Sequence, residues 1–340
     1  MTDTTTRPAA TFDHLAKMTD ERGLFEHAEH GERRVEHGYC TDDNARMLVV
    51  TSREADAGAA ARLSRIALGF TLRAQVPNGR TRNRMDSTGR WTDRPSTDDC
   101  WGRSLWGLGV AATQHDAGYV RDLAIAGFDT GVKQRSRAPR AMAFAALGAA
   151  DVLVSHPGQR AARSLLADAV RVIGGTGSAG WVWPEPRLTY ANAALAEALI
   201  AAGAALERPD VLDQGLTMLE WLLDRESAQG HLSVTGTAGR GRTDAGRQFD
   251  QQPIEVAAMA DACWRANTVA AHPKWARGVA LAAAWFDGAN DARMSMRDEV
   301  TGGGFDGLLP DGVNLNQGAE STLALISTMQ RARSCMPAGT

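Results

Sequence analysis

Apolar residues recur at i, i+3 and i+4 spacing along almost the whole chain, and this period predicts about twelve helices. The predicted spans are 10–18, 42–56, 58–75, 98–115, 118–132, 138–153, 159–174, 190–204, 209–225, 252–268, 273–288 and 316–333. Glycine- and proline-bearing breaks separate them, at Pro77-Asn78-Gly79, His156-Pro157-Gly158 and Gly174-Gly175. Inside the loops, Trp181 to Trp183 and His231 to Gly236 read as short strands. No linker-like stretch divides the chain, so residues 1–340 are expected to form a single domain.

The helices alternate in character. Every second one follows a longer loop and opens on a polar or aromatic cluster. These starts are Tyr39-Cys40-Thr41-Asp42-Asp43-Asn44, Ser96-Thr97-Asp98-Asp99-Cys100-Trp101 and Arg137-Ala138-Pro139-Arg140. The remaining three are Leu188 to Asn192, Phe249 to Glu255 and Asn314 to Glu320. Successive clusters lie roughly 40–65 residues apart, the length of a helical hairpin with its loops. If the hairpins close into a ring, alternate helices form an inner barrel whose parallel N-termini open on one rim. The body of one such helix, Ala141 to Leu147, is apolar nearly all round, as a doubly packed helix should be. Span 159–174, with Arg160, Arg163, Asp168 and Arg171, is more amphipathic and reads as outer. The expected fold is all-α: an (α/α)6 toroid of about twelve helices with short strands in its loops.

Composition narrows the function. Hydrophobic residues at 44% allow a sizeable core, and a net charge of -3 leaves no basic stripe for nucleic acid or an anionic membrane. The N-terminal residues carry no charged-then-apolar leader pattern, and no apolar run reaches the ~18 residues of a membrane span. Four cysteines, Cys40, Cys100, Cys263 and Cys335, lie far apart without C-x-x-C spacing. These features favour a reduced, metal-free, cytoplasmic protein. His27, His30 and His37 lack zinc spacing. No phosphate-cradling glycine motif follows a strand and no nucleophile elbow is present, so no cofactor is expected.

Chemistry is left to the helix starts. Two read Thr-Asp-Asp followed by arginine: Thr41, Asp42 and Asp43 with Arg46, and Thr97, Asp98 and Asp99 with Arg103. Capping by threonine, and i, i+4 pairing of Asp42 with Arg46 and Asp99 with Arg103, account for one carboxylate at each start. The other is free to face a cleft, with its pKa lowered by the helix terminus. Glycoside chemistry needs a second, raised carboxyl across the scissile bond. Glu185, between Trp183 and Pro186, and Glu255 are the candidate acids, with Asp250 at the same helix start as Glu255. Tyr39, Trp101, Trp183 and Tyr190 are candidate stacking surfaces for a sugar ring, as are Trp91, Trp106 and Trp181. Trp221, Trp264, Trp275 and Trp285 fall within helix bodies and read as core. Arg46, Arg103, Arg140, Asn192, Gln251, Gln252, Asn316 and Glu320, with Asp42 and Asp98, complete the candidate binding set.

The stretch His37-Gly38-Tyr39-Cys40-Thr41-Asp42-Asp43-Asn44-Ala45-Arg46 resembles a bacterial domain of the six-hairpin glycosidase superfamily that often accompanies glycosyltransferases and shares their label. Thr97 to Asp99 with Gly102-Arg103, Pro139-Arg140-Ala141, Trp183 through Asn192, Asp250 to Pro253 and Gly318 to Thr322 extend the likeness over nearly the whole chain. The resemblance implies the (α/α)6 fold, a carbohydrate substrate, an inverting hydrolase reaction and a glycosyltransferase as partner. No Rossmann signal supports transferase activity in this chain itself. Two alternatives stay open: hydration of an unsaturated uronic acid, lysis or epimerisation on the same toroid, and a non-catalytic glycan-binding module.

Overall fold

The computed structural model describes residues 11–54, 58–175, 177–178, 180–227 and 229–335. The first residue of predicted span 10–18 and the last two of span 42–56 lie outside these, as does most of the N-terminal segment read above for a leader. Twelve α-helices occur among the described residues. The first six are α1 (Asp13–Met18), α2 (Thr41–Ser52), α3 (Gly58–Ala74), α4 (Asp99–Gln114), α5 (Gly118–Gly131) and α6 (Pro139–Ser155). The others are α7 (Arg160–Ile173), α8 (Asn192–Ala205), α9 (Pro209–Glu226), α10 (Pro253–Val269), α11 (Pro273–Phe286) and α12 (Ala319–Cys335). The even-numbered helices pack each on the next, and α12 returns to α2, so they form a closed inner ring. The odd-numbered helices α3 to α11 lie outside, each against the inner helix before it, and the short α1 packs beside α12.

Burial separates the two layers. Residues Arg140 to Leu153 of α6 and Asn192 to Gly203 of α8 are buried on every face. By contrast α7 buries only Ala162, Leu165, Leu166, Ala169 and Ile173, the single stripe of an amphipathic helix. Proline sits in the first turn of α6, α9, α10 and α11, where its missing N–H costs no helical bond. No described helix is long and apolar enough to cross a membrane.

Inner helices approach to backbone contact where glycines face each other. A Cβ on Gly109 would stand 2.3 Å from the Gly148 carbonyl oxygen, and one on Gly148 only 2.1 Å from that of Leu105. Gly102 meets Ala141 of α6 in the same way, at 2.2 Å. The far end of the ring is closed by a buried ion network. Asp261 of α10 pairs with Arg53 (3.1 Å) and Arg331 (2.5 Å), and Arg265 pairs with Glu197 (2.8 Å) and Asp151 (3.4 Å). Three guanidiniums thus meet three carboxylates from four inner helices and the end of α2, and charges so matched can be buried together.

Short antiparallel strands tie the loops at the opposite end. They are β1 (Ala28–Glu29) with β2 (Glu32–Arg33), and β3 (Tyr39–Cys40) with β4 (Arg84–Met85). Next come β5 (Arg187–Leu188) with β6 (Arg240–Gly241), and β7 (Gly307–Leu309) with β8 (Gly312–Asn314). The strands predicted at Trp181–Trp183 and His231–Gly236 are irregular instead. Their backbone and side chains find other partners: Thr235 N–H donates to the Glu226 carboxylate (2.9 Å), and the two indoles pack against Trp221. Of the four tryptophans expected in the core, Trp275 and Trp285 are fully buried, while Trp221 and Trp264 are half-buried.

Replacing Gly148 by valine should lower the unfolding free energy by about 3 kcal/mol or more, because its nearest neighbours are backbone atoms that cannot swing aside. Urea denaturation measures this; an unchanged midpoint would show that the α4–α6 contact is looser than described.

Candidate functional site

All six inner helices start at the same end of the ring, and a cleft of about 480 Å³ opens there. Its walls come from the chain before α2, the starts of α2 and α12, Arg103 of α4, Tyr190 before α8, and the Asp250–Ile254 segment entering α10. The wall beside α12 is completed by Asp306, Asn314, Gly318 and Ser321. Asp42, Asp43, Arg46, Arg103, Tyr190, Asp250, Gln252 and Glu320 are therefore brought together from a sequence span of nearly the whole chain.

The α2 start is not built as its sequence suggests. Thr41 does not cap; its hydroxyl donates to Arg82 O (2.7 Å), tying the helix start to the β4 loop. Arg46 bonds Asp43 rather than Asp42 and reaches across to Glu320 of α12 at 2.6 Å. The Cys40 thiol donates to the second oxygen of Asp43 at 3.0 Å. Asp43 is 2% exposed. Burial pushes its carboxyl up, against the pull of Arg46 and with a further push from Glu320, to about 6. The lowering expected from the helix terminus is thus reversed, because desolvation of a fully buried carboxylate outweighs a partial dipole charge.

Cations in the cleft are already engaged. Arg84 bonds Glu26, and Arg103 lies 3.4 Å from Asp42 and 3.9 Å from Asp99 while stacking over Phe144. Asp42 also accepts from Asn83 Nδ2 (2.8 Å). Asp250 and Asp306 are different: neither has an arginine or lysine partner among the described residues. Gly318 N–H (2.8 Å) donates to Asp306, while one oxygen of Asp250 is buried without a hydrogen-bond partner. Burial raises both carboxyls above their ordinary value, and Asp306 raises Asp250 further.

Several predicted site residues do structural work elsewhere. Glu185 is held by both terminal nitrogens of Arg140 (2.8 and 2.9 Å) and is not an isolated carboxyl among indoles. Arg140 also bonds Tyr190 O and Asn192 Oδ1 (3.2 Å). Glu255 accepts from the backbone N–H groups of Ala191 and Asn192 and from Asn192 Nδ2 (3.2 Å). It thereby caps α8, whose preceding residue Ala191 has φ of 44°. Burial and the nearby Glu226 push the Glu255 carboxyl up to about 8. Asp99 accepts from the Tyr190 hydroxyl (2.7 Å) and fixes that ring.

Others never reach the cleft. Trp101 is fully buried, its indole N–H bonded to Gly131 O at the end of α5. Tyr39 is buried against Phe25, its hydroxyl on Asp20 (2.7 Å). Trp183 is buried against Trp221, and Gln251 is locked between Asp291 (2.7 Å) and the Trp285 indole (3.3 Å). Asn316 accepts from His30 N–H (2.9 Å) in a loop, and Asp98 points to solvent. A rigid indole at a helix start is as good a wedge between layers as a sugar platform, and only packing distinguishes the two.

Sequence reasoning missed Glu26, Arg84, Asp306 and Ser321. Glu26 and Asp306 stand in loops and Arg84 in the short strand β4, none with a periodic pattern, and pairing between distant segments brings them in. Ligand atoms of Glu26, Cys40 and Asp43 lie within 4.8 Å of one another, the only such metal-type cluster among the described residues. Its carboxylates already face Arg84 and Arg46, and burial holds the thiol protonated well above its ordinary range.

No family model matches the chain, and no curated protein matches it in sequence. Solved structures do match. Cellobiose 2-epimerase from Spirochaeta thermophila is 12% identical with a TM-score of 0.68, over 94% of this chain and 93% of that one. D-mannose isomerase is 10% identical with a TM-score of 0.66, over 96% and 95%. The GH76A α-1,6-mannanase from a Salegentibacter species is 11% identical with a TM-score of 0.64, over 95% and 96%. An inactive variant of that mannanase, with two adjacent aspartates changed to alanine, was solved with α-1,6-mannotetrose. The fold of this chain is an (α/α)6 toroid, shared with these structures.

Asp43 makes stability fall with pH. The folded carboxyl keeps its proton up to about 6, whereas the unfolded one loses it near 3.8, so its contribution is fullest below 3.8 and declines as pH rises to about 6. Asp43→Asn removes that decline. The stability difference, variant minus wild type, should rise by on the order of 3 kcal/mol from about pH 3.5 to about pH 7. Urea titrations at both pH values test it; a constant difference would refute the buried, raised carboxyl.

Proposed function

We propose that the chain is a carbohydrate-active enzyme whose carboxylates hydrolyse a glycosidic bond with inversion. The observation that carries this reading is the division of labour among the cleft carboxylates. Asp43 is held by Arg46 and a thiol, while Asp250 stands just before another inner helix with no arginine or lysine beside it among the described residues. An inverting hydrolase needs such an unlike pair, one carboxyl to protonate the leaving oxygen and one to draw a proton from water. Asp250, one oxygen of which is buried without a hydrogen-bond partner among the described residues, is assigned the acid. Asp43, poised at about 6, is ionised at neutral pH yet basic enough to activate water. Arg46 and Glu320 orient it, and Tyr190, 44% exposed with Arg140 behind its ring at 4.8 Å, offers a sugar an apolar face. Adjacent aspartates are also the residues altered in the inactive mannanase variant, and Asp42-Asp43 is such a pair here.

Charge argues against the uronyl alternative. Six carboxylates line the cleft, those of Glu26, Asp42, Asp43, Asp250, Asp306 and Glu320, against the guanidiniums of Arg46, Arg84 and Arg103, each already paired. A uronate would enter an excess of negative charge, so a neutral sugar is the expected substrate. Epimerisation is a second reading, favoured by the likeness to an epimerase and an isomerase and by His27, an imidazole on the cleft wall. A glycan-binding module beside a glycosyltransferase is the non-catalytic reading.

A panel of neutral aryl-glycosides and oligosaccharides, followed by proton NMR in D2O, separates these. Hydrolysis with inverted anomeric configuration is expected, falling by about 10²- to 10⁴-fold in Asp250→Asn and in Asp43→Asn. The thermal midpoint of Asp250→Asn should stay within a few degrees. Full activity in both variants would defeat the assignment, deuterium entering carbon 2 would favour epimerisation, and binding without product would favour the module.

A further inference from the structure

Beneath the cleft the inner barrel does not pack solid. A well of about 50 Å³ lies within the ring, between the cleft and the buried ion network. Val49 and Val50 of α2, Trp106 of α4, Phe144 and Leu147 of α6 and Leu323 of α12 form most of its wall, with alanines of α8, α10 and α12 between them. Arg46, Arg103, Ile254 and Glu320 line both spaces and form a collar joining well to cleft. The rings cannot swing in to fill it. Trp106 stacks on Phe144 at 5.8 Å, and the Arg103 guanidinium lies over the Phe144 ring at 4.3 Å.

Glu197, Asp261 and Ser327 line its floor, but their polar atoms are bound within the ion network, so the surface left exposed is mostly carbon. Water inside would lack the two to four polar partners it needs, and an apolar cavity of ~150 Å³ stays dry and holds benzene or xenon. A space of about 50 Å³ is a third of that, the size of a single methyl group or one xenon atom. A hydroxyl placed there would give up its water without replacement. Resting on the reading of the cleft as a sugar site, we propose that the well receives the methyl end of a substituent on the bound sugar. Two sources carry that chemistry: the methyl of a 6-deoxy sugar and that of an N-acetyl group. Both are uncharged and so are compatible with the acidic cleft above.

Xenon-129 NMR tests this without turnover, in the wild type and in Asp250→Asn. One bound xenon is expected, and it should be lost when Ala257→Leu or Ala324→Val fills the well. L-rhamnose should displace it at a concentration at least about tenfold lower than L-mannose, or N-acetylglucosamine tenfold lower than glucose. Whichever pair shows the difference identifies the source. Absence of xenon from the well overturns the proposal, as does equal displacement within both pairs or none. Saturation-transfer NMR on the same samples separates two failures. Sugars that contact the protein yet leave xenon in place sink only the well; sugars that make no contact count against the cleft as well.

Discussion

The structure depends on how closely the inner helices can approach one another. Gly102 and Gly109 of α4, with Gly148 of α6, let two backbones touch where any side chain would push them apart. Alanine-rich faces do the same less tightly around the rest of the ring, which closes when α12 meets α2. Once it is closed, parallel inner helices have one arrangement only: every N-terminus at one end, every C-terminus at the other. The two ends then solve different electrostatic problems. At the C-terminal end, arginines and carboxylates cancel in a dry network. At the N-terminal end, loops tied by short strands bring carboxylates together with fewer cations than they need.

That imbalance gives the cleft its chemistry. A helix terminus favours a carboxylate in its first turn, but the favour is a fraction of a charge, and complete burial is a stronger term. Asp43 is where the two compete, and burial prevails. Elsewhere the arginines settle the matter by pairing with the nearest acid. Asp250 and Asp306 are left without a guanidinium among the described residues.

The same economy explains why attractive candidates became supports. An inner helix whose first turn faces a cleft still needs acceptors for its free N–H groups. For α8 these come from Glu255 of the neighbouring helix, and Arg140 with Glu185 fixes the loop around it. A residue type fit for catalysis is equally fit for capping; the identity of its neighbour decides between them.

The alternation of apolar-all-round and one-sided helices determined the toroid, because inner and outer helices bury different fractions of their surface and so need different residues. It also placed Asp42, Asp43, Arg46, Arg103, Tyr190, Asp250, Gln252 and Glu320 at one rim, since helix order and parallelism suffice for that. The tertiary structure alone decided which acids are paired, which aromatics are wedged between layers, and that Glu26, Arg84 and Asp306 join the cleft. Those outcomes turn on loop pairings such as β3 with β4 and on contacts between residues far apart in the chain, such as Arg46 with Glu320. Local periodicity carries no record of them.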